Sequence, residues 1–394
     1  MTIHSLAFAL AAVTTALALL GIFYFFAALF AAARFLRERN GTATDFAPGV
    51  SIMKSLKGLD PGMLEAFRSH CRQHYAGEFE LLFGVAEADD PAVAAVKQLQ
   101  QEFPQIPIQL LVCPERLGTN GKISTLMQME AAARYDYLLV NDSDITVSPR
   151  YLERVMRCFA PVEGEPQVGL VTALYRGRAH GSVWAQMESL GIATDFQAGV
   201  LLSKFIEGGL HYGLGSTLAV RREALHTAGG FEALVNQLAD DHEMGVKIEK
   251  AGYSVVLCGE AVETSVPDYR WQGFADHQLR WLRTVRDARP GGYFGMLFTH
   301  GLAWAVINAL VCAFNPLSVT ILLASLMLRL AMAVVVGVRV LSDDQVPAGL
   351  WLLPLRDIVY LGLWLAGFCG NTIVWRGQRF VLRHGKLYAK AVQS

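Results

Sequence analysis

The chain has 394 residues, a formal net charge of −1 and an apolar fraction of 53%. The near-neutral charge argues against nucleic acid as a partner, because nucleic-acid-binding domains carry a strongly basic face. The six cysteines are scattered without a C-x-x-C pair, which argues against a disulfide framework or a zinc site.

The first apolar block predicts a membrane anchor over residues 5–34. No Asp, Glu, Lys or Arg occurs from Ser5 through Ala33, which is long enough to cross a bilayer with some tilt. The positive charges follow the block instead of preceding it, unlike those of a cleaved signal peptide. The positive-inside rule then puts the N-terminus outside and the residues after Arg34 in the cytoplasm.

Residues 48–290 have an α/β pattern and predict one catalytic domain. Short apolar, β-branched or aromatic runs predict strands at Val50–Met53, Phe79–Ala86, Ile106–Val112, Tyr137–Val140, Val168–Leu174 and Tyr253–Leu257. Helical spacing occurs at Met63–His74, Ala92–Gln101, Ile123–Arg134 and Pro149–Phe159. This alternation predicts a mainly parallel sheet covered on both faces, with ligands bound beyond the carboxyl ends of its strands.

The tripeptide Asp142-Ser143-Asp144 follows the strand at Tyr137–Val140 and is a candidate metal site. Carboxylates are hard ligands for Mg²⁺ or Mn²⁺, and Mg²⁺ commonly links a few protein oxygens to substrate phosphates. Asp142 and Asp144 are therefore the candidate metal ligands. The alternative is that the two acids open a turn or cap the next helix.

Two further segments are candidates for donor binding. Asp89 and Asp90 follow another strand, where an Asp can accept a hydrogen bond from a nucleobase N–H. Lys122, after Asn120-Gly121, could reach a phosphate or a sugar. Asp-Pro also starts turns and helices, and a surface turn accounts for Lys122 equally well. Lys54 and Lys57 follow the first strand, and the sequence favours solvated lysines there over a role in the site.

Asp240 and Asp241 precede a predicted helix at Glu243–Ala251. A carboxylate beside another acid and partly removed from water can have a raised pKa and act as a general base. The alternative is a helix N-cap that complements the helix dipole.

The segment His277-Gln278-Leu279-Arg280-Trp281 lies in a stretch rich in arginine and aromatic residues. Such a helix is typical of a membrane interface. Arginine also binds diphosphates in bidentate fashion, and an indole face suits a sugar ring.

Apolar runs at about 296–314, 317–340 and 351–375 predict C-terminal membrane segments, followed by a basic tail at 376–394. The charge rule requires an even number of crossings between the catalytic domain and this tail. We therefore expect one net crossing within 296–340, with part of it interfacial or re-entrant, and a return through 351–375.

This ordered set of motifs resembles the ceramide glucosyltransferase family, whose members are inverting enzymes of the glycosyltransferase-A fold. The likeness runs from about Gly49 to Gly295. The segments that carry it are Gly49–Gly58, Asp89–Ala92, Asn141–Ser143, Gly215–Thr217, Ala228–Phe231, Leu238–Asp241 and Arg280-Trp281.

The resemblance implies a role for each matched residue. Asp90, beside Asp89, would bind the uridine side of a UDP-sugar, Asp142 and Asp144 the metal diphosphate, and Arg280 the leaving phosphates. Asp241 would be the base, and Asp240 would orient it. Trp281 and His277 would lie on the side of the membrane-lipid acceptor.

The chain departs from the family pattern at three places. His277 replaces a Gln or Arg, His242 stands where an aromatic residue is usual, and the metal motif has two acids where animal members keep one. Segments 116–122 and 286–293 look more like the bacterial branch that glycosylates hopanoids. That branch implies UDP-N-acetylglucosamine as donor, bacteriohopanetetrol as acceptor and a bacterial cytoplasmic membrane, with the catalytic domain cytosolic.

Three alternatives remain at this point. Ceramide with UDP-glucose is the main rival pair of substrates. A processive polysaccharide synthase shares the acidic motifs but needs more membrane spans for its channel. A non-enzymatic sugar- or lipid-binding scaffold would have no use for a base beside a metal motif.

Overall fold

The computed structural model describes residues 3–39, 44–375, 378–383 and 385–389. The strands are β1 Val50–Leu56, β2 Phe79–Val85, β3 Ile108–Val112, β4 Tyr137–Val140, β5 Val168–Ala179, β6 Leu218–Arg221, β7 Ser254–Val266, β8 Thr372–Trp375, β9 Gln378–Arg383 and β10 Lys386–Ala389. All six strands predicted from the sequence are confirmed.

The helices of the first half are α1 Ile3–Glu38, α2 Met63–Cys71, α3 Ala92–Glu102, α4 Gly121–Glu130, α5 Tyr151–Arg157, α6 Val183–Gly191 and α7 Gln197–Glu207. The later helices are α8 Arg222–Thr227, α9 Asp240–Lys250, α10 Trp271–Ala288, α11 Pro290–Gly295, α12 Gly301–Val311, α13 Pro316–Ala333, α14 Val346–Gly349 and α15 Leu353–Gly367. π-Helical turns at Ile192–Phe196 and Val334–Val340 follow α6 and α13.

The chain forms two compact units. The sheet unit consists of Glu38–Arg178, Ile206–Pro267 and Gly385–Ser394, and the helical unit of Met1–Arg37, Ala179–Phe205 and Asp268–His384. Residues 179–205 and 268–290, which lie inside the predicted catalytic domain at 48–290, belong to the helical unit, and the domain bounds stay a prediction. Residues 179–205 pack within the helical unit because α6 and the π-helical turn contact α10, α13 and α15.

The sheet unit is built on seven strands in the order β3-β2-β1-β4-β6-β5-β7. β1 pairs in parallel with β2 and β4, and β2 with β3, whereas β6 runs antiparallel to both β4 and β5. β1 and β4 are nearly continuous runs of buried residues, as expected of parallel strands covered on both faces. The carboxyl ends of β1, β2 and β4 therefore lie along one edge of the sheet.

Within the described residues, the helical unit contains three helices long and apolar enough to cross a membrane, Ser5–Glu38, Pro316–Val340 and Val346–Gly367. A fourth apolar segment, Pro290–Phe298 with Gly301–Val311, is bent by 47°. Close packing joins α1 to α12: a Cβ atom on Gly21 would lie 2.1 Å from the Cα of Gly301. Small residues permit this approach of two backbones.

The C-terminal boundaries differ from the prediction. The apolar run expected at 351–375 ends its helix at Gly367, and Thr372–Trp375 is a strand that pairs antiparallel with β9. The described part of the predicted tail at 376–394 is also extended, as β9 and β10. The remaining tail residues, 376–377, 384 and 390–394, lie outside the described residues.

Candidate active site

Asp142 and Asp144 follow β4, directly beside the end of β1. Met53 of β1 is in register with Val140 of β4, so the next residue of β1, Lys54, lies beside the acidic segment. Its Nζ donates a hydrogen bond to the main-chain oxygen of Asp142 at 2.8 Å. Lys54 therefore supports the loop that carries the acidic motif.

Lys54 corrects the sequence interpretation of a solvated lysine, because its side chain is completely buried. Burial lowers the pKa of Lys54 to about 7, against the opposing effect of Asp144 and Asp142. The burial of Lys54 could not be predicted from the sequence, because it results from the parallel pairing of β1 with β4, which places Lys54 under the loop that carries Asp142 and Asp144.

Lys122 joins the two acidic motifs. Its Nζ lies 2.6 Å from Oδ1 of Asp142 and 4.0 Å from Oδ2 of Asp240. Burial lowers the pKa of Lys122, but Asp142 and Asp240 outweigh it and raise the pKa overall. Lys122 is therefore a fixed positive charge between carboxylates that are about 100 residues apart in the sequence.

Asn120 orients Asp240, a role that the sequence analysis missed. Its Oδ1 accepts from the backbone N–H of Ile123 and caps α4, so the predicted glycine turn is a helix start. Its Nδ2 donates to Oδ1 of Asp240 at 3.2 Å. Asparagine is a preferred N-cap, so the sequence could have predicted the helix start at this residue. The hydrogen bond to Asp240 could not be predicted, because it depends on the fold.

Asp240 and Asp241 occupy the first turn of α9, which begins earlier than predicted. Oδ2 of Asp241 accepts from the N–H of Gly215 at 2.8 Å, and a Cβ atom on Gly215 would lie 3.0 Å from that oxygen. Burial raises the pKa of Asp241 and raises that of Asp240 to about 6. Burial therefore outweighs the hydrogen bonds to these carboxylates and the charge of Lys122, which lower both pKa values.

The two carboxylates differ in accessibility. Asp240 is buried, and its Oδ2 has no hydrogen-bond partner among the described residues. Asp241 is half-buried. Its carboxylate accepts hydrogen bonds from two backbone N–H groups, which hold it at the start of α9. Asp241 is thus the carboxylate that a substrate hydroxyl can reach more readily.

Asp144 is directed toward β7. Its Oδ2 accepts from Oγ1 of Thr264 at 2.6 Å and from the N–H of Ser265 at 2.9 Å. Burial, and next the charge of Asp142, raise its pKa. Two mutually repelling carboxylates favour a cation, which would relieve both effects.

Asp142 and Asp144 are the predicted metal ligands. Among the described residues no three His, Cys, Asp or Glu side chains form a metal-binding group. Asp142, half-exposed, and Asp144 nevertheless fit a Mg²⁺ or Mn²⁺ ion that takes its remaining ligands from a diphosphate. Metal binding by these two residues stays a prediction.

Asp90 links two loops by hydrogen bonds at the carboxyl edge of the sheet. Its carboxylate accepts from the N–H of Gly58, at 3.0 Å for each oxygen, and from Ala92 at the start of α3. The helix-starting alternative raised by the sequence is thus one role of this residue. Asp89 is exposed on the preceding turn. Donor binding by either residue stays a prediction.

His277, Arg280 and Trp281 lie on α10 in the helical unit, as part of its half-buried face. The rings of His277 and Trp281 are 5.8 Å apart, and Trp281 meets Phe196 edge-on at 5.6 Å. Nδ1 of His277 lies 3.0 Å from Oε2 of Glu188. No sequence pattern pointed to Glu188.

The mainly parallel sheet with an acidic cluster at its carboxyl edge has the architecture of the glycosyltransferase-A fold, the class to which the protein belongs. A mannosyltransferase from Pyrobaculum calidifontis, solved with GDP-Man and Mn²⁺, has the same fold at a TM-score of 0.54, with 17% identity over 91% of this chain and 97% of that one.

The chain belongs to glycosyl transferase family 21, whose profile matches residues 13–388. Ceramide glucosyltransferase 3 of Caenorhabditis elegans is 26% identical over 60% of the chain and 50% of its own length. Ceramide glucosyltransferase 1 of the same organism is 23% identical over 86% of the chain and 72% of its own length. The chain thus spans half of the first relative, and the predicted ceramide glucosyltransferase-like family is confirmed.

Proposed function

We propose that the chain is an inverting membrane glycosyltransferase that moves one sugar from a UDP-sugar to a hydroxyl of a membrane lipid. The cluster of Lys122, Asp142 and Asp240, with Asp241 beside it, carries this proposal. It combines a fixed positive charge, one of the two candidate metal ligands and two carboxylates of raised pKa at one edge of the sheet.

The reaction is a single displacement. Asp241 accepts the proton of the lipid hydroxyl, and the oxygen attacks the anomeric carbon from the face opposite UDP. The bond between the anomeric carbon and the diphosphate oxygen breaks, UDP leaves, and the configuration inverts. Asp240, held by Asn120, raises the basicity of its neighbour through like-charge proximity.

The leaving diphosphate needs positive charge. A divalent ion on Asp142 and Asp144, when bound, would neutralise part of the charge that develops there. Lys122 is already positioned next to Asp142, and Arg280 is proposed as a further diphosphate ligand from its sequence motif alone. Asp89 and Asp90 are proposed to bind the nucleotide side, and His277 and Trp281 the acceptor side, on the same motif grounds.

The proposed substrates are UDP-N-acetylglucosamine and bacteriohopanetetrol, which rest on the likeness of segments 116–122 and 286–293 to hopanoid-associated enzymes. UDP-glucose and ceramide are the second candidates, favoured by the names of the curated relatives. The purified protein in detergent should be incubated with each radiolabelled UDP-sugar and each lipid. One labelled sugar on a lipid supports the proposal, whereas a long polymer or no product contradicts it.

Metal dependence is tested on donor binding. We expect Asp142→Ala to abolish turnover and to weaken UDP binding only when divalent metal is present, because the ion links the carboxylate to the diphosphate. UDP affinity is measured by calorimetry with Mn²⁺ and with EDTA. Equal affinity of the parent protein under both conditions contradicts the metal assignment.

We also propose a bacterial cytoplasmic-membrane location, with the N-terminus outside and both the sheet unit and the C-terminus in the cytoplasm. In this arrangement the first of the three candidate spans leads into the cytoplasm, the second leads out of it and the third leads back. A cysteine added after Ser394 should resist an impermeant thiol reagent applied to spheroplasts. The exposed Cys369 is replaced by Ser in this experiment so that it contributes no label. Labelling of the added cysteine from outside would refute the orientation.

A further inference from the structure

A buried carboxylate in the helical unit has no role in the mechanism above. Glu188 on α6 is 5% exposed. Its Oε2 accepts from Nε2 of Gln278 at 3.1 Å and lies 3.0 Å from Nδ1 of His277. Burying a carboxylate is costly unless it is hydrogen-bonded, so the neighbouring donors on α10 make this position tenable.

The contact with Glu188 determines what His277 offers on its other side. Because Nδ1 faces a carboxylate oxygen, it carries a proton, and in the neutral ring Nε2 is then a hydrogen-bond acceptor. The carboxylate also fixes the orientation of the ring, as carboxylate–histidine pairs do elsewhere. The side chain of His277 is 26% exposed, so its ring is within reach of a ligand.

Aromatic rings flank the imidazole. Tyr269 stacks on it at 5.7 Å, and Trp281 lies tilted at 5.8 Å with Phe196 edge-on behind it. Rings with an apolar face beside a hydrogen-bonding atom suit the C–H and O–H groups of a polyol or a sugar.

A purely structural role would be to fix α6 against α10. A separate aromatic cluster of Trp184, Trp271 and Phe274 already joins these two helices, with Trp184 and Trp271 4.9 Å apart. The partly exposed imidazole is not needed for that contact, which favours a ligand as its purpose.

We propose that Glu188 and His277 form a binding site for a hydroxyl group of the lipid acceptor, with Nε2 of His277 as the contacting atom and Glu188 as its positioning residue. This inference rests on the proposed function for the identity of the ligand as a lipid. The hydroxyl bound here is held and does not react.

The test compares His277→Phe, Glu188→Gln and the control Asp276→Asn, an exposed residue of the same helix. Phenylalanine keeps an aromatic ring but removes both nitrogens. Glutamine keeps the shape of Glu188 but can donate to Nδ1, which lets the proton move to Nε2 and turns an acceptor into a donor. We expect both variants to raise the acceptor KM about 3- to 10-fold, the usual value of one hydrogen bond, without changing the donor KM.

Affinity for radiolabelled bacteriohopanetetrol and ceramide in detergent micelles is measured on the same variants, because it needs no turnover. Weaker lipid binding by His277→Phe and Glu188→Gln, with Asp276→Asn unchanged, supports the inference. Equal lipid affinity in the folded variants, or an equal rise in both KM values, overturns it. Lipid binding by a parent protein that transfers no sugar contradicts the proposed function alone.

Discussion

Replacing Asp241 by Asn should lower kcat about 10²- to 10⁴-fold, the usual contribution of a general base. Asparagine keeps the shape and can still accept from the N–H of Gly215, so only basicity is lost. The donor KM should change little, because in the proposed mechanism Asp241 acts on the acceptor proton and not on UDP. Initial rates at varied UDP-sugar and lipid concentrations measure both effects.

Asp240→Asn is the matched control for this prediction. It should be milder, because Asp240 is buried and its Oδ1 is held by Asn120. An inactive Asp240→Asn with an active Asp241→Asn would exchange the two roles. If neither substitution affects turnover, the assignment of a base to this pair fails.

The pH profile gives an independent check on the carboxylate pair. Burial raises the pKa of Asp240 to about 6 and also raises that of Asp241, so the pair takes up a proton well above the usual range of Asp. A base must be unprotonated, so kcat should fall at a higher pH than the usual range of an Asp carboxyl, because burial raises the pKa of Asp241. The free energy of unfolding should change with pH in the opposite direction. A raised carboxyl pKa favours the folded state at low pH, and this stabilisation is lost as the pH rises through about 6. Full activity at pH 5 would contradict the predicted ionisation.

The second large effect is expected in the helical unit, at the buried pair of Arg329 and Asp357. Arg329 is 1% exposed, and its Nε and Nη2 bond the two carboxylate oxygens of Asp357 at 2.8 and 3.1 Å. Asp357→Leu should destabilise the protein by about 3–5 kcal/mol, because it leaves a buried guanidinium without this partner. Unfolding in mixed micelles with increasing dodecyl sulfate measures the loss.

The double variant Arg329→Met/Asp357→Leu distinguishes pairing from packing. Apolar residues of similar volume can replace a buried pair with little cost, so we expect the double variant to be more stable than Asp357→Leu alone. Arg356 and Asp195 extend the network and would limit this recovery. Asp276→Asn should leave stability unchanged. A double variant less stable than the single one would show that the pair does not act as a unit.

Local pattern was sufficient for most of the sheet. The runs at Val50–Met53 and Tyr137–Val140 are short, apolar and β-branched or aromatic, and they form central parallel strands. β6 was missed, because four residues of sequence Leu-Ala-Val-Arg carry little signal by themselves. Its strand conformation depends on pairing with β4 on one side and β5 on the other.

In the active site, too, some features could be predicted from the sequence and others could not. The sequence alone determined which carboxylates follow strands and which begin a helix, because these are properties of neighbouring residues. The order of these motifs also identified the family and the candidate site residues. Only the tertiary structure decided that Lys122 joins Asp142 to Asp240, that Lys54 is buried under their loop, and that Glu188 faces His277. These contacts join residues 20 to 118 positions apart. Strand register and helix packing, which no local pattern encodes, bring their polar atoms within 4.0 Å of each other.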